Sequence, residues 1–128
     1  MSYYFNKLVD MPFDKAVQKV RERLKDAGFG VLTEIDVQKT MKLKIDADMA
    51  PYLILGACNP QFAYKALQAE NKIGTMLPCN VIVRETGEGQ VEVAAVNTVA
   101  SMQAVENEQL GGIATDVMMA LRGVVDEL

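Results

Sequence analysis

The chain has 128 residues, half of them hydrophobic and 23% charged, which suits one folded domain and excludes a disordered segment. Seventeen acidic against thirteen basic residues give a net charge of -4, a balance that argues against the basic stripe with which nucleic-acid binders neutralise phosphates. Histidine is absent, which excludes histidine-based nucleophilic triads and histidine metal sites.

Residues 2–9 are rich in aromatic and β-branched types and predict a first strand. Pro12 stands near the first position of a helix in which Phe13, Val17, Val20, Leu24 and Ala27 recur at helical spacing, with Gly28 as the stop. The basic residues Lys15, Lys19, Arg21, Arg23 and Lys25 alternate with Asp14, Glu22 and Asp26, the pattern of a solvated helix face. Residues 29–37 predict a second strand with Val31, Thr33, Ile35 and Val37 on one face. Residues 38–45 fit two patterns: Met41 and Ile45 suit a helix, whereas Met41, Leu43 and Ile45 alternate as in a strand. One or two helical turns are expected there. Asp46-Ala47-Asp48 is read as a loop with too few oxygen ligands for a calcium site.

Residues 52–58 form a nearly continuous apolar run, as in a strand covered on at least one face. Asn59 is a good N-cap and Pro60 a good first residue for a helix reaching to about residue 71. Ala63, Ala66, Leu67 and Glu70 share a face of it, with Phe62 and Tyr64 flanking, and the small residues predict close packing on a sheet. A loop punctuated by Gly74 and Pro78 leads to a hairpin, residues 79–85 and 90–97, turning over Thr86-Gly87-Glu88-Gly89. Val81, Val83, Val91 and Val93 form its core face. The stripe Leu110, Ile113, Ala114, Val117, Met118, Leu121, Val125 and Leu128 predicts a terminal helix docked on a sheet.

The expected fold is therefore a single α+β domain over residues 1–128: a mainly antiparallel sheet with helices on one face, in β-α-β(4)-α order. The apolar run 49–58 contains Pro51 and is far shorter than the ~18 residues of a membrane span, and no signal pattern opens the sequence. A cytoplasmic location and two reduced thiols, Cys58 and Cys79, are expected. Exposed apolar strand edges on a small acidic domain also favour self-association about a two-fold axis.

Three stretches, Gly28-Phe29-Gly30-Val31-Leu32-Thr33-Glu34-Ile35-Asp36, Gly56-Ala57-Cys58-Asn59-Pro60 and Leu77-Pro78-Cys79-Asn80-Val81, stand in an order and spacing that resembles a bacterial and archaeal family, domain of unknown function 302. Ala63 and Lys65-Ala66-Leu67 match its middle helix, so the resemblance spans essentially the whole chain. It implies a TATA-box-binding-protein-like architecture, a name that carries no implication of DNA binding. It also implies a homodimer, and it supplies no accepted substrate, cofactor or catalytic residue.

Chemistry is to be sought at the two Cys-Asn dipeptides. Cys58 precedes a helix N-terminus, where amides and the dipole favour an anionic thiolate; it also suits a small apolar residue ending a buried strand. Cys79 is either a partner thiol or a half-buried residue at a strand start. Asn59 and Asn80 are candidate amide donors to a ligand, or else a helix cap and a loop brace. Tyr52 and Tyr64 are candidate pocket walls. Two cysteines without histidine fall short of a four-ligand metal site within one chain, so neither metal nor cofactor is expected. Two functions are weighed: a non-catalytic domain that binds a small ligand or a partner near these motifs, and a thiol protein handling sulfur or electrons through Cys58, with or without Cys79.

Overall fold

The computed structural model describes residues 2–128. Five strands form one antiparallel sheet, β1 (Tyr4–Val9), β2 (Gly30–Asp36), β3 (Tyr52–Cys58), β4 (Cys79–Gly87) and β5 (Gln90–Val96), in the order β1-β5-β4-β3-β2. Helices α1 (Phe13–Asp26), α2 (Val37–Ile45), α3 (Pro60–Ala69), α4 (Thr98–Ser101) and α5 (Gln109–Asp126) connect or follow them. This is the α+β, β-α-β(4)-α arrangement expected from the sequence, with the edge strand β1 inserted beside β5.

Period-two alternation sends Leu53, Leu55, Val81, Val83, Val91 and Val93 to one face, where α1 and α5 cover them. The end of α1 is fixed locally. Gly28 adopts φ +88, the amides of Gly28 and Phe29 reach back to the carbonyls of Lys25 and Leu24, and Phe29 packs with Leu24 in the core. This paired closure satisfies the last carbonyls of the helix and needs a residue tolerant of the left-handed region. Helix α5 buries Leu110, Ala114, Val117, Leu121, Val124 and Val125, so Val124 joins the expected stripe, and Leu128 packs on the core beyond the helix end.

Two expectations are corrected, and one short helix is added. Val31, Thr33, Ile35 and Val37 do not share a face: the register shifts between Val31 and Thr33, so Val31 meets Ala57 while Thr33 meets Gly56, and Val37 starts α2. The helix beginning at Pro60 packs chiefly on α5 rather than on the sheet. The small residues Ala63 and Ala66 therefore border open space instead of a tight sheet contact. The short helix α4 carries no hydrophobic period; it forms because the Asn97 side chain accepts from the amides of Val99 and Ala100 while its own amide group holds the Ser2 carbonyl.

The second face of the sheet lies opposite α1 and α5, and α2 touches the sheet at β2 and β3. Its middle row runs across neighbouring strands through Ala94, Ile82, Ile54 and Ile35, and the next row through Leu8, Glu92, Arg84 and Tyr52. One cation serves both carboxylates of the Asp-x-Asp loop after α2, Lys42 Nζ lying 2.8 Å from Asp46 and 3.0 Å from Asp48.

Candidate functional site

Buried residues divide into two clusters. The larger joins the sheet to α1 and the C-terminal half of α5; the smaller gathers Ala66, Ile73 and Leu110. Between them lies a partly open cavity of about 340 Å³. Its walls are Phe29 and Ala57 from the sheet side, Phe62, Ala63, Ala66 and Leu67 from α3, and Ile113, Ala114 and Val117 from α5, closed by Ile73, Leu77 and Met102.

The strand register brings both cysteines to this cavity. Cys79 pairs with Ala57, which places it diagonally beside Cys58, and both half-buried, free thiols line the space. Neighbouring strands about 5 Å apart and a step of about 3.3 Å along one strand put the two Cα atoms about 6 Å apart, within disulfide range. Successive residues leave a sheet on opposite sides, however, so this register alone does not aim the two sulfurs at each other. Burial, with the neighbouring Cys58 adding to it, pushes the Cys79 thiol up to about 11. A thiol so placed is almost wholly protonated near neutral pH.

Two other polar side chains of the cavity make internal hydrogen bonds, Asn59 through its Oδ1 alone, its Nδ2 donating to no group among the described residues. Asn59 caps α3, its Oδ1 accepting from the Phe62 amide at 3.3 Å, and Thr98 Oγ1 donates to the Ala114 carbonyl at 2.6 Å. Among the described residues lining the cavity, none is Asp, Glu, Lys or Arg. Nor do three or more Cys, Asp or Glu among the described residues gather as metal ligands.

The residues singled out from the sequence thus separate into three places. Cys58, Asn59 and Cys79 line the cavity. Tyr52 and Asn80 lie across the sheet, in a groove on the face opposite α1 and α5 with Tyr4, Ile82 and Arg84. Asn80 is exposed there and braces no loop amide among the described residues. Tyr64 is 66% exposed on the outer side of α3. Phe62, Leu67, Met102 and Ile113 were missed as a lining, although the helical period of Phe62 and Leu67 in α3 and of Ile113 in α5 was visible.

Fold and site together define an antiparallel α+β domain with one helix-covered sheet face and an apolar cavity where the helices diverge from it. The chain belongs to the family described as domain of unknown function DUF302, whose model matches residues 5–128. It is similar to a solved structure described as the crystal structure of an uncharacterized conserved protein DUF302 from Bacillus stearothermophilus, with a TM-score of 0.90 at 26% identity over 98% of each chain. No protein of curated function matches. No helix is long and apolar enough to cross a membrane among the described residues.

Proposed function

We propose that the protein is a non-catalytic binding domain whose ligand is a small, uncharged, largely apolar molecule held in the cavity beside Cys58 and Cys79. The observation that carries this reading is the cavity itself. Protein interiors normally close to crystal-like density. Empty apolar space costs about 24 cal/mol per Å³, so 340 Å³ left vacant would forgo as much as roughly 8 kcal/mol if fully enclosed, comparable to the whole stability of a small domain. The pocket opens to solvent, so water enters it and the cost falls to that of leaving its apolar walls wetted. Size supports a small guest, since binding pockets run upward from about 300 Å³. Composition supports a neutral one: a charged ligand would lose its hydration and meet no counter-ion.

The test is titration with 1-aminoanthracene, a neutral fluorophore. Wild-type protein should raise its emission saturably. Ala66→Phe and Ala114→Phe, which project into the cavity from opposing helices, should abolish the rise without loss of helical signal. A flat titration of the wild type, or equal binding by both filled variants, would refute the reading.

Thiol chemistry is the second reading, supported by the adjacency of the two cysteines in the register. It falls to Cys58, because Cys79 holds its proton to about pH 11. Rapid alkylation of native Cys58 well below pH ~8.5 would favour it over simple binding.

A further inference from the structure

We propose that the guest of the cavity is a neutral, apolar carbonyl compound, a ketone or aldehyde, whose oxygen is held by the side-chain amide of Asn59. The inference rests on the binding reading above and adds to it the one polar group that the guest carries.

The polar side chains of the cavity are few, so the protons of each can be followed. Among the described lining residues they are Cys58, Asn59, Cys79 and Thr98. Thr98 is 2% exposed, and its hydroxyl proton goes to the Ala114 carbonyl. Cys79 keeps its proton, and a thiol is a weak donor. Asn59 differs. Its Oδ1 accepts from the Phe62 amide, and because an amide nitrogen cannot accept, this bond also fixes which end of the group is Nδ2. Nδ2 donates to no group among the described residues.

Gly28 leaves this amide its room. A β-carbon there would lie 3.1 Å from Nδ2. The glycine closes α1 at φ +88, and the residue after it, Phe29, is a wall of the cavity. The start of α3 adds no competing donor. Pro60 has no amide proton, the amides of Phe62 and Ala63 are taken by the side chain and carbonyl of Asn59, and Gln61 lies outside the lining. An anion site at a helix N-terminus presents several backbone amides. Here one neutral side-chain donor stands against apolar walls.

That arrangement selects among guests. A carboxylate or phosphate would lose its hydration and meet no cation, and an ammonium would meet no anion. A pure hydrocarbon would shield the amide protons from water and leave them unpartnered, which costs their desolvation. A carbonyl oxygen accepts from the amide and brings no proton that needs a partner of its own.

Displacement of 1-aminoanthracene by 2-acetylnaphthalene and by 2-isopropenylnaphthalene tests the proposal. The two are flat isosteres that differ by a carbonyl oxygen against a methylene carbon. Wild-type protein should hold the ketone about fivefold more tightly. Asn59→Asp remains a good helix cap and Asn59→Gly an acceptable one, and neither carries the amide. In both the preference should reverse in favour of the alkene, because the ketone oxygen would be buried without a partner. The Asn59 side-chain amide signal in the NMR spectrum should move on adding the ketone and stay in place on adding the alkene. A ketone bound no more tightly than the alkene by the wild type, or a preference that survives both substitutions, overturns the proposal while the cavity remains a binding site. A flat 1-aminoanthracene titration refutes the binding reading itself, and this proposal with it.

Discussion

The pyrrolidine ring of Pro78 occupies the space beside Gly56 that a side chain would need. A β-carbon at Gly56 would lie 2.7 Å from Pro78 Cγ and closer still to Thr33 Oγ1. Two of the sequence motifs therefore interlock: the glycine of one admits the proline of the other, and the strands that follow and precede them carry the two cysteines to one cavity.

Gly56→Ala should accordingly destabilise the protein by about 2–3 kcal/mol, since neither backbone-fixed Pro78 nor the strand bearing Thr33 can yield cheaply. Thr33→Gly in the same chain should recover only part of this, because Pro78 remains. Urea denaturation of the single and double variants measures both. A loss under about 0.5 kcal/mol would show that the contact relaxes freely.

The raised Cys79 pKa predicts slow alkylation. At pH 8 a thiol titrating at about 11 is about a thousandth thiolate. Iodoacetamide should therefore modify native Cys79 about a hundredfold more slowly than the same residue in the urea-unfolded chain, as read by peptide mass spectrometry. Equal rates would mean that Cys79 is not held protonated by its surroundings.

The same shift makes stability depend on alkaline pH. The folded chain keeps the Cys79 proton from its ordinary value of 9.0 up to about 11, while the unfolded chain releases it. In that window the unfolded state binds fewer protons, so stability is fully present below about pH 9 and falls as pH rises toward 11, by at most about 2–3 kcal/mol. Cys79→Ala should be less stable at pH 7 yet flatter between pH 9 and 11. Parallel slopes for variant and wild type would assign the alkaline loss to other groups.

Asn97 offers a separate stability test. Its buried side chain caps α4 through two amides and anchors the Ser2 carbonyl. Asn97→Ala should cost about 2 kcal/mol, and Asn97→Ser, which keeps the cap but is too short for the carbonyl, about half as much. Thermal unfolding distinguishes the two; equal losses would place the whole effect on the Ser2 contact.

What was legible in the sequence was whatever depended on local chemistry. Asn59-Pro60 marked the start of α3, Gly28 the stop of α1, and the valines of β4 and β5 the buried face. The bulge near Leu32 was not legible, because a single extra residue leaves composition unchanged while reversing every side chain beyond it. The cavity was hidden for a different reason. Ala63 and Ala66 signal small volume, and whether small volume means close contact or a void depends on how far α3 stands from the sheet, a distance that no local pattern encodes. Asn80 separated from Cys79 through strand parity, being one residue away and so emerging on the opposite face, whereas Tyr52 separated from Cys58 by distance, the two standing at opposite ends of β3.

The seam between the two apolar clusters has a consequence for motion. Ala66, Ile73 and Leu110 belong to a patch that meets the main core across the cavity and through Ile113, which packs against both clusters. Such patches open as local units at less than the global unfolding free energy. A guest seated in the seam touches α3, α5 and the sheet at once, and every opening of the unit would have to expel it. Occupancy would thus appear as slower amide exchange in α3 and the first turns of α5, with little change in the valine strands: the guest would fasten a hinged flap rather than tighten an already closed core.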